Sequence, residues 1–88
     1  MMNFEWDDQK SDSNKLKHGI DFNDATALWI DPFRVEIKAS FQDEDRFVLI
    51  GMMDDKIWTA IFTIRNQAVR IISVRRAREK EALLYDEK

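Results

Sequence analysis

The stretch "IWTAIFTIRNQAVRIISVRR", residues 57–76, decides the fold, because it has the pattern of a β-hairpin. Its two halves are rich in β-branched residues and are separated by the short connection Asn66-Gln67. Successive side chains of a strand point to opposite faces of a sheet. The face of the first strand that is predicted to be buried carries Trp58, Ala60, Phe62 and Ile64. The stretch therefore predicts two antiparallel strands with one face in the core.

The turn between these strands decides which arginines share a face with Arg65. A strict two-residue turn brings Arg70 and Arg76 to that face. A longer loop, or a bulge, brings Ser73 and Arg75 there instead, because a slip of one residue exchanges the faces. The connection lacks the glycine of a favoured tight hairpin, so we expect the longer loop or a bulge. The expected result is a polar strip on the sheet, made of Thr63, Arg65, Ser73 and Arg75.

Two further strands precede the hairpin, and a helix follows it. "FRVEIKA", residues 33–39, alternates apolar and charged side chains and predicts a strand with one wet face. "DRFVLIGMM", residues 45–53, is more uniformly apolar and predicts a central strand. "AREKEALLYDEK", residues 77–88, consists largely of strong helix formers and predicts a closing helix.

The N-terminal part predicts a short strand, residues 3–6, and two helices. The first helix covers about residues 8–17, and the second begins near Asp21 or Asn23 and ends before Pro32. The resulting order, β-α-α-β-β-β-β-α, predicts one α+β domain over residues 1–88. In it, an antiparallel sheet is packed by two N-terminal helices and one C-terminal helix.

Composition narrows the chemistry and the location. The chain has no cysteine and a single histidine, so we expect no metal site and no cofactor. It opens without a charged-then-apolar leader, and its longest apolar run, residues 47–53, is far too short to span a membrane. These features predict a cytoplasmic protein.

Charge is unevenly distributed along the chain. The net charge is −3, which argues against a general coating of nucleic acid. Residues 65–80, however, contain six basic residues and one acidic residue, a local charge of +5. Such a segment fits either a specific polyanion site or arginines that decorate a solvated sheet edge.

Lys17 and His18 are the remaining candidates for chemistry. They precede Gly19, a residue type that commonly ends a helix, and basic side chains at a helix C-terminus are favourable in any case. Histidine titrates near neutral pH and can move a proton, while arginine binds phosphate oxygens in a bidentate way. Together with the arginines of the hairpin, the pair would suit cleavage of RNA by attack of its 2′-hydroxyl, without a metal.

From Phe4 to about Asp86 the chain contains an ordered set of motifs, namely "FEWD" (4–7), Lys10, Asn14, "KHG" (17–19), Phe22, "DP" (31–32), Arg46, Gly51, "RIISVRRA" (70–77), Glu81 and Tyr85. This set resembles the BrnT family of toxins from type II toxin–antitoxin systems. The resemblance implies a RelE-like fold and a ribonuclease that blocks translation. It also implies a BrnA-like antitoxin that masks the toxin in a two-plus-two complex, and operator DNA that is bound only through the antitoxin.

The resemblance also implies roles for individual residues. Proton transfer falls to Lys17 or His18. The arginines divide into two pairs, Arg65 and Arg75 for the transition-state phosphate, and Arg70 and Arg76 for RNA binding or for the antitoxin.

Two departures from the family pattern stand out. Arg78 replaces the usual Ser or Thr that forms a capping box with Glu81, so the start of the last helix is open. Val74 replaces the usual alanine, which is a packing change.

Two other functions remain possible on the sequence alone: a non-catalytic module of the same fold that only binds the antitoxin, and a DNA-binding protein acting by itself.

Overall fold

The computed structural model describes residues 2–41 and 44–87. Its helices are α1 (Asp8–His18), α2 (Phe22–Ala25), a 3₁₀-helix (Thr26–Ile30) and α3 (Glu79–Asp86). Its strands are β1 (Phe4–Glu5), β2 (Val35–Phe41), β3 (Glu44–Met53), β4 (Lys56–Arg65) and β5 (Ala68–Arg76). The α+β class and the order of elements are confirmed. None of the helices in the described part of the chain is long and apolar enough to cross a membrane.

The five strands form one sheet in the order β1-β5-β4-β3-β2. Neighbours are antiparallel except for β1, which pairs with β5 in parallel. The expectation of a wholly antiparallel sheet is therefore wrong, and the sheet is mixed. A strand of two residues has no periodicity of its own, so only tertiary contacts fix its direction.

The β4–β5 hairpin has a tight turn and, further along, a bulge. Asn66 and Gln67 both have left-handed backbone angles, with φ of 52° and 66°, and Arg65 pairs directly with Ala68. The expected longer loop is therefore wrong, because this turn matches the twist of the strands without a glycine. The expected bulge is confirmed: Ile61 pairs with Ser73 and the next residue pairs with Ile71, which leaves one extra residue on β5.

This combination fixes the faces of the sheet. Cross-strand partners share a face, and the partners of Thr59, Ile61, Thr63 and Arg65 are Arg75, Ser73, Arg70 and Ala68, respectively. The polar strip therefore exists on one face, and the bulge adds Arg70 to it. Arg76 is opposite Trp58 and lies on the other face, with the core.

The N-terminal helices pack on that other face. Buried apolar side chains from both layers form the core, namely Ile20, Phe22, Ala25, Leu28, Trp29, Leu49, Trp58, Ala60, Phe62, Val69, Ile71 and Val74. Ile64 does not join them: it is 52% exposed near the hairpin turn, so its predicted burial is wrong. The alternation of side chains along β4 predicts the face of Ile64 correctly, but it does not show how far along β4 the helices cover that face.

Helix α1 is held to the sheet by polar contacts rather than by an apolar stripe. The buried side chain of Asn14 donates to the backbone oxygens of Ile20 (2.8 Å) and Val74 (2.9 Å) and accepts from the Val74 amide (3.2 Å). Ser11, also buried, accepts from the Phe22 amide at 2.9 Å. Asn14 thus satisfies both backbone groups of Val74 on the free edge of β5 and fixes the position of the helix end.

Helix α3 lies against the face that carries the polar strip. It begins at Glu79, with Arg78 as N-cap residue, and the Arg78 amide donates to Glu81 Oε1 at 2.7 Å. Arginine has no acceptor atom, so only this half of a capping box can form. The start of α3 is therefore at Glu79 in spite of the missing Ser or Thr. The hydrogen bond from the Arg78 amide to Glu81, together with the contacts of Glu81 with Thr59 and Arg75 on the sheet, is sufficient to start the helix there.

Candidate active site

The end of α1 presents two basic side chains to solvent. Gly19 takes the left-handed conformation, with φ of 79°, and its amide donates to the Lys15 carbonyl at 2.9 Å. This geometry stops the helix at His18 and leaves Lys17 and His18 exposed in its last turn. The predicted helix end is confirmed to within one residue.

His18 borders an open cavity of about 680 Å³, which we call the α1-end cavity. Its lining comes from the end of α1, the 3₁₀-helix region, the β3–β4 turn and the ends of β4 and β5. The lining residues are Lys15, His18, Gly19, Ile20, Asp24, Ala27, Met53, Asp54, Lys56, Trp58 and Arg76. Four of these side chains are basic or histidine and two are acidic, so the cavity can receive an anion and also offers carboxylate acceptors.

Trp58 and Arg76 are in contact in the lining of this cavity. The guanidinium carbon of Arg76 lies 5.6 Å from the Trp58 ring centroid, within the range of a cation–π contact. The indole Nε1 donates to the Met53 carbonyl at 3.2 Å, which fixes the ring. The contact therefore orients a permanently charged group in the cavity that His18 borders.

A second, smaller cavity of about 190 Å³ lies on the other side of His18. It is lined by Lys10, Ser13, Asn14, Lys17, His18, Ile72 and Ser73. Lys17 and His18 thus meet one member of the polar strip, Ser73, at the edge of β5. His18 is the residue that the two cavities share.

Arg75 is engaged with α3. Its Nη1 and Nη2 donate to the two carboxylate oxygens of Glu81 at 2.7 and 2.8 Å, and the buried Thr59 hydroxyl donates to the same carboxylate at 3.0 Å. The hydrogen bonds from Arg75 lower the pKa of Glu81 to about 2, and the same pairing raises the pKa of Arg75. Arg75 is therefore a fixed part of the α3 attachment.

The other two strip arginines lie further along the hairpin. Arg70 donates to Glu5 at 2.7 Å and so links β5 to β1. Arg65, near the turn, borders a cavity of about 230 Å³ together with Glu44, Asp45, Phe47, Thr63 and Ile64. Arg65 lies six residues along β4 from Thr59, which is the cross-strand partner of Arg75. At about 3.3 Å per residue, the backbone positions of Arg65 and Arg75 are therefore roughly 20 Å apart.

The six sequence-predicted site residues therefore fall into separate groups. His18 lies with Arg76 in the α1-end cavity and with Lys17 in the smaller one. Arg65, Arg70 and Arg75 lie on the opposite face of the sheet. Arg75 is fixed by its hydrogen bonds with Glu81, so it and Arg65 are too far apart to bind the same phosphate. The catalytic roles assigned to Lys17, His18, Arg65 and Arg75 stay predictions.

Several residues of the site were missed in the sequence. Trp58 was identified only as core, and Lys15 and Lys56 were not singled out. The signal for Trp58 and Arg76 was present, because the expected longer loop or bulge makes them cross-strand partners, as they are in the structure. For the contact of Glu81 with Arg75, the sequence offers no signal, since it depends on how α3 folds back onto the sheet.

The fold and the site define a small α+β protein with a basic cavity at the end of its first helix. The chain belongs to the BrnT family of ribonuclease toxins of type II toxin–antitoxin systems, whose family model matches residues 6–81. The resemblance drawn from the motifs is thereby confirmed, and membership of a type II toxin family implies an antitoxin as partner. No curated protein matches the chain.

Proposed function

We propose that this protein is an endoribonuclease that cleaves single-stranded RNA without a metal, with its active centre in the α1-end cavity. His18 transfers a proton and Arg76 binds the reacting phosphate. The observation that carries this proposal is the shared cavity, where the exposed His18 and an arginine oriented on Trp58 face the same open space.

The reaction needs only groups of these types. The 2′-hydroxyl of a ribose loses its proton to a base and attacks the neighbouring phosphorus, and the bond to the 5′-oxygen breaks. The departing 5′-oxygen then takes a proton from an acid. The products are a 2′,3′-cyclic phosphate and a 5′-hydroxyl. A cationic donor beside the phosphate stabilises the additional negative charge of the transition state.

Each group in the cavity has a place in this chemistry. His18 can serve as base or acid, and Lys17, beside it on the last turn of α1, supplies the second transfer group or holds the neighbouring phosphate. Lys15 and Lys56 add positive charge around the reacting phosphate. The unpaired bases of a single strand present amino groups that can donate hydrogen bonds to carboxylates. Asp24 and Asp54 of the cavity would therefore contact bases and not phosphates.

The remaining arginines are proposed to act outside the centre. Arg65 would contact a more distant phosphate of the bound RNA. Arg70 and Arg75 would have to leave Glu5 and Glu81 to do the same, so RNA would compete with existing carboxylate partners. We therefore assign the direct phosphate contact to Arg76 and keep Arg65 and Arg75 as secondary candidates.

We further propose that cleavage of cellular RNA inhibits translation and arrests growth, and that a BrnA-like antitoxin prevents this. An acidic segment of the antitoxin would neutralise the basic cavity, since opposite charge both steers and stabilises such a complex. Operator DNA would be bound by the antitoxin, and a dimeric antitoxin would give a complex with two copies of each chain.

The chemical proposal is tested with the purified chain and an end-labelled single-stranded RNA of mixed sequence in excess EDTA. We expect cleavage to persist and the products to carry 2′,3′-cyclic phosphate and 5′-hydroxyl ends. The matched control is the same oligonucleotide with 2′-deoxyribose at each cleaved position, which should stay intact because the nucleophile is missing.

Two results would contradict the proposal. Cleavage that EDTA abolishes and Mg²⁺ restores would mean a metal-dependent mechanism. An intact RNA in the presence of folded protein, together with binding of the antitoxin, would favour the alternative of a non-catalytic interaction module.

A further inference from the structure

The two edges of the sheet differ in how they are protected. At one edge β1 is only two residues long, and the side chain of Asn14 satisfies Val74 on the remainder of β5. At the other edge β2 is seven residues long, and no strand of the described residues pairs with its outer side. An open edge of this length presents unpaired amides and carbonyls that can bind another strand.

The pairing of β3 shows which residues of β2 direct their backbone outward. The β3–β4 turn has two residues with left-handed angles, so the pair that flanks it is a hydrogen-bonded pair. Hydrogen-bonded and non-hydrogen-bonded pairs alternate along β3 from the Met53–Lys56 pair, so Val48 does not bond to β4. The amide and carbonyl of Val48 therefore point to β2, where its partner is Ile37. The neighbours Glu36 and Lys38 therefore direct their amide and carbonyl groups away from the sheet.

The outward groups belong to residues of opposite charge, and this selects one occupant. We propose that the β2 edge pairs with the β2 edge of a second copy of this chain, antiparallel and centred on Ile37. In that register Glu36 is opposite the partner's Lys38, and the symmetry repeats the pair. Centring the two-fold axis on Glu36 or on Lys38 would set like charges against each other, which is destabilising.

The centre of the proposed interface is apolar. Ile37 is 39% exposed in the isolated chain. Centred on the axis, it forms a non-hydrogen-bonded pair, in which the two Cα atoms are only about 4.5 Å apart and the side chains touch. The interface thus buries Ile37 on one face of the joined sheet, while the two charge pairs lie on the opposite face.

Existing ion pairs of these residues do not oppose the pairing. Glu36 contacts Arg34 at 3.0 Å and Lys38 contacts Asp45 at 3.2 Å. The Lys38 and Asp45 side chains are 62% and 55% exposed, and exposed pairs of this kind contribute little. Lys38 can therefore face the second copy at small cost, and the Glu36 side chain, 43% exposed, is accessible to the partner's Lys38.

The proposed dimer joins two five-stranded sheets into one continuous sheet. A seven-residue edge buries less than the roughly 1,000 Å² expected of a stable interface, so we expect a reversible dimer with a micromolar dissociation constant. The proposal concerns association only and does not depend on ribonuclease activity.

Sedimentation equilibrium of the purified chain up to about 200 µM covers this range of affinity. We expect a monomer–dimer equilibrium in the unaltered protein. Lys38→Glu turns both charge pairs into like-charge pairs and should raise the dissociation constant roughly tenfold or more. The double variant Glu36→Lys/Lys38→Glu recreates the pairs in reversed order and should restore dimerisation. Lys80→Glu, an equal change of charge on an exposed position of α3, should leave the dissociation constant unchanged.

Three results would overturn the inference. The first is a monomer at every concentration. The second is a dimer that Lys38→Glu weakens no more than Lys80→Glu does. The third is a double variant that stays as weak as Lys38→Glu. If the isolated chain is monomeric and Lys38→Glu instead weakens binding of the antitoxin, the edge serves that partner and not a second copy.

Discussion

Replacing His18 by alanine is expected to lower the rate of RNA cleavage by about 100-fold or more, because general acid–base catalysis contributes factors of that size. His18 is exposed at the end of α1 and borders both cavities, so its loss should change the free energy of unfolding by less than about 1 kcal/mol. Cleavage of an end-labelled RNA under single-turnover conditions, with thermal unfolding of the same samples, measures both quantities.

Two arginine variants, assayed in the same way, test which face of the sheet binds the reacting phosphate. Arg76→Ala should lower the cleavage rate by a factor comparable to that of the histidine variant, since it removes the phosphate donor of the cavity. Arg65→Ala removes the same group from the other face of the sheet and should have a much smaller effect. An inactive Arg65→Ala protein alongside an active His18→Ala protein would locate the chemistry on the polar strip instead.

Replacing Glu81 by glutamine is expected to destabilise the protein by roughly 3 kcal/mol at neutral pH. The hydrogen bonds from Arg75 lower the pKa of Glu81 from 4.5 to about 2, and about 1.4 kcal/mol per pKa unit gives this size. Both side chains are about four-fifths buried, with exposed fractions of 20% and 22%, so solvent screening is limited. Urea unfolding at pH 7 measures the difference between the variant and the unaltered protein.

The pH dependence of this difference has a definite sign. A carboxyl group with a lowered pKa in the folded state stabilises the protein fully above its unfolded-state pKa and loses that effect as the carboxylate is protonated. The difference between Glu81→Gln and the unaltered protein should therefore be constant above about pH 5 and shrink as the pH falls toward 2. Glu79→Gln, an exposed position of the same helix, is the control and should stay within about 0.5 kcal/mol at every pH. A difference that does not depend on pH would show that the ion pair is not what attaches α3.

Strand and helix positions could be predicted because they follow from local patterns. Alternation of apolar and charged residues locates β2, runs of apolar and β-branched residues locate β3 to β5, and Gly19 locates the end of α1. The faces of the hairpin could be predicted only in part. The bulge was expected as an alternative to the tight turn, whereas the structure contains both, and together they bring Arg70 and Arg75 to one face and Arg76 to the other.

What could not be predicted depends on contacts between distant parts of the chain. Asn14 reaches β5 across 60 positions of sequence, and this contact decides where the end of α1 lies. The position of α1 in turn decides that His18 borders the cavity of Arg76, and that at the edge of β5 it meets the polar strip at Ser73 and not at Arg75. No local pattern contains this information, because it results from how the helix packs on the sheet.

The central claim is that RNA reacts in the α1-end cavity, and NMR titration of the ¹⁵N-labelled chain tests it most directly. The ligand is a single-stranded oligonucleotide with 2′-deoxyribose at the cleavable positions, which binds but cannot react. The account predicts that the largest shift changes occur at His18, at the indole N–H of Trp58 and at Arg76. Changes confined to Thr63, Arg65 and Ser73, with the signals of the cavity unmoved, would contradict it.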